Sequence, residues 1–226
     1  YLMHRAEQLN NLYIFKNTEG TPENIRKFHP NIIVSSTGSA PLLPPIAGLK
    51  DRIDNENHNI YSILGMISHI NDFPKDLEGK KVVVVGGGAV GLDVVEFFAD
   101  RNADISIVEM MDQIGRDLDP VSKNDTKTMM KKHNVHQLTK TALLEVKDSS
   151  FLVRGNGEPY ELPFEYGFVC LGMRAQGQLY QNLTEEFSSE DVEIMNIGDS
   201  QRARRIIDGT QEGRNILTVL EQKGYL

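Results

Sequence analysis

An α/β fold built on a parallel sheet is what this sequence predicts, and three observations predict it. Lys81 to Val85 is an apolar run that turns through three glycines into a helical segment, and a second apolar run follows at Ile105 to Glu109. From Thr141 the hydrophobic period falls to two, with turn signals at 148–150 and 155–157, which predicts a small antiparallel meander. Pro41, Pro44 and Pro45 hold the backbone extended and withhold ladder donors, which marks a linker or crossing strand at a domain boundary.

Taken in order, Leu2, Ala6, Leu9 and Leu12 lie at helical spacing and predict an amphipathic helix, followed by a short strand at Tyr13 to Phe15. Thr21 and Pro22 are an N-cap and a first-turn proline for a helix through Phe28, and Asn31 to Ser35 is an apolar strand. Residues 57–73 read as a loop and a short helix. The strand from Lys81, a turn at 86–88, a helix over 89–100 with Val90, Val94, Phe97 and Phe98 on one side, and the strand 105–109 make a βαβ unit. Asp119 and Pro120 open a helix to about His133, with lysines near its C-terminus as the helix dipole favours. The meander over 141–171 is expected to close on the strand 166–171. A polar loop, a strand at 192–197 ending in Gly198-Asp199, and a helix over 203–223 complete the chain.

Composition excludes several functions. The 226 residues carry 24 Lys and Arg against 32 Asp and Glu, a net charge of -8, and the sequence pI is near 5.3. Such a surface repels phosphate backbones, so nucleic acid is not an expected partner. The single cysteine, Cys170, permits no internal disulfide and no thiolate cluster, which fits a reducing, cytoplasmic setting. His133 and His136 lack a third ligand nearby, so no metal site is expected. No apolar stretch approaches the ~20 residues of a membrane span, and no membrane partner is expected. A chain opening at Tyr1 within a periodic segment is expected to be a piece of something longer.

Gly86, Gly88 and Gly91 form a G-x-G-x-x-G pattern directly after a buried strand and at the opening of a helix. Gly86 serves the tight turn, Gly88 lets a pyrophosphate approach the backbone, and Gly91 lets the helix pack closely. With Gly87, Ala89 and Val90 they form the expected cofactor-binding loop, whose helix N-terminus offers unpaired N–H groups to phosphate. Eighteen residues past Gly91, at the end of the second strand, Glu109 can accept hydrogen bonds from a ribose diol. Met110 follows it instead of an arginine that could pair a 2'-phosphate, so NADH is favoured over NADPH. A nucleotide-free packing turn is the bland alternative.

Val-Val-Val-Val-Gly-Gly-Gly-Ala-Val-Gly-Leu-Asp at 82–93, Ser-Ser-Thr-Gly-Ser-Ala-Pro at 35–41 and Ile-Met-Asn-Ile-Gly-Asp at 194–199 resemble the pyridine nucleotide-disulfide oxidoreductase superfamily. Glu-Met-Met-Asp-Gln-Ile at 109–114 and the closing run from Arg204 to Asn215 are similar to flavin oxidoreductases of the 2,4-dienoyl-CoA reductase, 2-enoate reductase and trimethylamine dehydrogenase type. The resemblance implies an NAD(P)H domain inserted into a FAD domain. It divides the chain into a FAD-domain remnant at 1–47, an NADH-binding Rossmann domain at 48–180, and a second remnant at 181–226. Thr37, Gly38, Gly198 and Asp199 become FAD-side residues, with Asp199 near the ribityl chain. No second glycine fingerprint accompanies them, so the resemblance implies a FAD site incomplete in these residues. FMN and an iron-sulfur cluster would belong to the missing N-terminal flavin domains of the same protein.

The remaining candidates carry two readings each. Asp93, on the first turn of the nucleotide helix, stands where the family often has a glutamate near the nicotinamide, or is simply favoured there by the helix dipole. Cys170 ends a strand beside the expected crevice and reads first as a small buried hydrophobe. Gly172 allows backbone approach to the cofactor. Arg202, Arg204 and Arg205 face phosphates or a partner, or form a solvated face. The expected function is placement of NADH for hydride transfer to FAD in an oxidoreductase, with no acid, base or nucleophile from this chain and with the isolated piece inactive. A non-catalytic NAD-sensing or interaction module and a flavin-free dehydrogenase are the alternatives.

Overall fold

The valines of Lys81–Val85 alternate between two cores, and that alternation organises the larger part of the molecule. In the computed structural model, which describes residues 1–225, Val82 and Val84 pack with Val94, Phe98, Ile105, Ile107 and Phe168. Val83 and Val85 pack on the other face with Leu49, Ile60, Phe151, Val153 and Phe164. A sheet buried on both faces needs apolar residues at consecutive positions, which is why this strand has no polar alternation. The sheet has five parallel strands in the order Ile60–Tyr61, Tyr166–Val169, Lys81–Val85, Asp104–Val108, His136–Leu138. The helix Ala89–Ala99 covers the first face, and the antiparallel strands Ala142–Val146, Ser150–Arg154 and Tyr160–Pro163 lie over the second.

The chain divides into two compact units, 40–174 and 1–39 with 175–226. The sequence reading set its boundaries at 47/48 and 180/181; the units part at 39/40 and 174/175. The strands at the two crossings, Ser39–Pro41 and Met173–Ala175, pair with each other. In the discontinuous unit, Ile32–Ser35 runs parallel to Glu193–Asn196, and Ile33, Leu183 and Phe187 form its small core. The helix Gln178–Glu186 contributes Leu183 to it. Arg26 is held across the unit by Glu186 and Glu190 and lies over the Phe187 ring at 4.7 Å.

Local signals explain where several helices start. Thr21 Oγ1 accepts from the Asn24 N–H at 3.2 Å at the head of Pro22–Arg26, and Asp119 Oδ1 accepts from Val121 and Ser122 at the head of Pro120–Lys132. Elsewhere the structure departs from the sequence reading. The first helix stops at Glu7 and buries no residue, and Tyr13 to Phe15 is irregular and exposed, with the Phe15 ring 5.2 Å from that of Phe28. Tyr166–Val169 leaves the meander and enters the parallel sheet beside Lys81–Val85. The polar loop after Leu171 holds the strand Met173–Ala175 and the helix Gln178–Glu186. The last helix begins at Ile206, not Ala203. Among the described residues, no helix is long and apolar enough to cross a membrane.

Candidate nucleotide site

Because the central strands are parallel, their C-terminal ends share one edge of the sheet, the place where open α/β sheets form ligand crevices. Val85 leads there into Gly86, Val108 into Glu109, and Val169 into Cys170. Sequence-distant candidates are thereby brought together. The three glycines of the fingerprint then separate by physical cause. Gly86 has φ +109°, and a Cβ on it would stand 2.1 Å from the Cys170 carbonyl oxygen, so both backbone and neighbouring strand require glycine. A Cβ on Gly91 would lie 1.9 Å from the Gly86 oxygen, so the helix could not sit against the turn. Gly88 is different. Its φ of -80° and ψ of -179° suit any residue, and a Cβ there meets nothing within 4 Å. Neither strain nor packing inside the protein accounts for glycine at that position.

Gly88 is also the N-cap of Ala89–Ala99 and provides no side-chain cap. The first N–H groups of this helix, with Ala89 and Val90 at its opening, consequently lack intrahelical acceptors and face an anion-favouring end of the helix dipole. Gly88 and Ala89 are exposed, whereas Gly91 and Leu92 are buried. The half-buried Glu109 lies across the loop: its Oε2 accepts from the Gly87 N–H at 2.7 Å and its Oε1 from the Met111 N–H at 2.6 Å. Each carboxylate oxygen still has a free lone pair for a ribose hydroxyl. The Gly115 N–H donates to the Gly87 carbonyl at 2.7 Å, tying the loop after Glu109 to the glycine turn. Met110 is exposed beside it. These residues fit a dinucleotide: free donors at a helix start, an open Gly88, and a fixed carboxylate at the next strand end.

Cys170 is buried, its N–H donates to the Val85 carbonyl at 2.7 Å, and burial, with the Asp93 charge as a smaller cause, pushes its thiol up to about 12. A thiol so protonated is no nucleophile at neutral pH. Gly172, two residues on, has φ +106° and an open Cβ position. Burial raises the Asp93 carboxyl above its ordinary value; the side chain lines a cleft of about 340 Å³ with Leu92, Glu96, Leu118, Ser122 and Met129. Among the described residues no cluster of His, Cys, Asp and Glu could hold a metal.

The other four candidates meet in the discontinuous unit, again at the ends of parallel strands. Thr37 Oγ1 donates to the Gln176 carbonyl at 2.7 Å, and the Gln176 N–H donates to the Gly38 carbonyl at 3.0 Å. Asp199 accepts from Ser39 Oγ and from the Arg204 N–H, both at 3.1 Å. The Gly198 N–H donates to Glu212 Oε2 at 2.6 Å, and Arg204 donates to Glu212 Oε1 at 2.5 Å, which together hold the Glu212 carboxyl below its ordinary value. Sequence reasoning missed Ser39 and Glu212. Both lie inside runs that carry the family resemblance, Ser39 in 35–41 and Glu212 in 204–215, but neither spacing shows the contact each makes, and Glu212 reaches Gly198 where Gly209 packs on it.

A family model described as pyridine nucleotide-disulphide oxidoreductase matches residues 11–195. Similar curated proteins include a metal reductase of Desulforamulus reducens, 26% identical over 95% of this chain and 35% of its own, and an NADH oxidase of Thermoanaerobacter brockii, 26% identical over 84% and 28%. The chain spans about a third of the length of these relatives. Two solved structures share the fold: a 2-naphthoyl-CoA reductase complex, with TM-score 0.72 and 22% identity over 87% of this chain and 28% of that one, and histamine dehydrogenase from Rhizobium sp. 4-9, with TM-score 0.73 and 14% identity over 95% and 35%. With the match running through the whole 40–174 unit and most of the first strand pair, this chain belongs to the pyridine nucleotide-disulphide oxidoreductase family.

Proposed function

We propose that residues 40–174 bind NADH and that the chain is the nucleotide-handling part of a flavin-dependent oxidoreductase of the enoate or dienoyl-CoA reductase type. The observation that carries this reading is Gly88, a glycine demanded by neither backbone nor neighbours at the uncapped start of a helix. The N–H groups of Gly88, Ala89 and Val90 hold the pyrophosphate, and Glu109 accepts from the adenine-side ribose. Gly172 and the Cys170 backbone line the far end of the same strand-edge crevice, with Asp93 on the helix beside it. A bound nicotinamide supplies a hydride to a flavin. This chain's residues bind and orient, and none is assigned as acid, base or nucleophile.

Thr37, Gly38, Gly198 and Asp199 are assigned to the flavin side of the 1–39 and 175–226 unit. The greater length of the relatives, and names such as NADH oxidase and cinnamate reductase among them, support flavin domains of the same polypeptide as its partner. FMN and an iron-sulfur cluster belong to those domains in this reading. Calorimetric titration of NADH into the purified 226-residue chain tests the nucleotide assignment. A one-to-one isotherm is expected, and no heat of binding up to ~1 mM NADH would refute it.

A further inference from the structure

The glycine fingerprint leaves the residue between its first two glycines free, yet here that residue is also glycine. The backbone at Gly87 gives no reason, since its φ lies outside the left-handed region. Glu109 gives one. A Cβ on Gly87 would stand 3.0 Å from Glu109 Oε2 and 3.2 Å from its Cβ and Cγ, tighter than ordinary contact. The Gly87 peptide is meanwhile fastened on both sides, its N–H to Glu109 at 2.7 Å and its carbonyl to the Gly115 N–H at 2.7 Å. The Met111 N–H fixes the other carboxylate oxygen.

We infer that Gly87 is a positioning residue that sets the nucleotide preference: by leaving room for Glu109 to lie on the glycine loop, it holds the carboxylate in the single orientation that accepts a ribose diol and repels a 2'-phosphate. The inference rests on the nucleotide-binding reading above. It differs from selection by charge alone, because a carboxylate displaced from the loop keeps its charge and loses its orientation. Glutamine is no conservative replacement for Glu109, since an amide NH₂ would face one of two backbone N–H donors.

The test is a double-mutant cycle read by calorimetry with NADH and NADPH. Gly87→Ala crowds the carboxylate off its 2.7 Å bond, so NADH affinity should fall about five- to tenfold and the preference for NADH should drop from at least about tenfold to below about threefold. In a Glu109→Gly background the crowded Oε2, Cγ and Cβ are all gone, and adding Gly87→Ala should change NADH affinity by less than about twofold. An equal loss in both backgrounds would mean that Gly87 meets the nucleotide directly, and an unchanged preference in Gly87→Ala would likewise overturn the inference. Should circular dichroism show Gly87→Ala unfolded, Glu109→Asp serves in its place: it keeps the charge but withdraws the oxygens from Gly87. A preference below about threefold supports the inference, and a retained one defeats it. Wild-type chain that binds neither nucleotide would remove the nucleotide reading itself, an outcome separate from any of these.

Discussion

Gly88→Val separates a cofactor cradle from a packing turn. Valine adopts the φ of -80° and ψ of -179° without strain, and its Cβ meets nothing within 4 Å, so the fold has no steric reason to change. The stability cost is that of a poor N-cap, about 1 kcal/mol, or a melting temperature lower by about 2–4 °C for a chain of this size. The binding cost is larger. A branched side chain over the helix start keeps a pyrophosphate from at least two N–H donors, each worth about 1.5–3 kcal/mol to a charged acceptor. Together these give a loss of about 3 kcal/mol or more, a hundredfold or greater fall in NADH affinity. Calorimetry with NADH, beside circular dichroism and a thermal melt, reads both quantities. A folded variant that binds NADH within threefold of wild type would refute the cradle reading, and so would one that fails to fold.

Gly91→Ala should do the opposite, since its Cβ would lie 1.9 Å from the Gly86 oxygen: about 2 kcal/mol or more of destabilisation, seen as a melting temperature lower by at least about 4 °C. Wild-type chain should bind NADH at least about tenfold more tightly than NADPH in parallel titrations, because a 2'-phosphate would meet the Glu109 carboxylate; equal affinity would count against that residue. Purified alone with FAD added, the 226 residues should emerge colourless from gel filtration, since they hold one glycine fingerprint; stoichiometric flavin absorbance would place a phosphate site elsewhere in them. Cys170 should resist thiol reagents at pH 8 until the chain unfolds. Its thiol is raised from about 9 to about 12 in the folded protein, so the unfolded chain loses the proton first, and stability contributed below pH 9 is lost as pH rises towards 12.

The parallel βαβ core and its glycine turn were legible because runs such as Lys81–Val85 are buried on both faces and admit no other period. The strands Ile60–Tyr61, His136–Leu138 and Met173–Ala175 are too short to show any period, and their sheet partners define them. Tyr166–Val169 misled because alternation does not encode direction of pairing. Its clue was Gly167, where a Cβ would meet the rings of Phe151 and Phe164 at 2.7 and 2.8 Å. At the site, the glycines, Glu109 and Cys170 could be gathered from strand ends alone, whereas the hydrogen bonds joining Glu109 to Gly87 and Glu212 to Gly198 depend on side-chain placement that no spacing rule predicts.

The two crossings at 39/40 and 174/175 also impose an order of assembly. Residues 40–174 are contiguous and can complete their own sheet while the ribosome is still extending the chain. Among the described residues, the partner of Ile32–Ser35 is Glu193–Asn196, so within this stretch the strand is made well before the one it pairs with, and its backbone groups there are an open strand edge in the interval. Its early exposure makes this strand the place where a stalled or truncated product is most prone to pair with the wrong chain. The strand has few defences of its own: Ile32–Ser35 contains no charge and no proline, and Pro30 stands two residues before it.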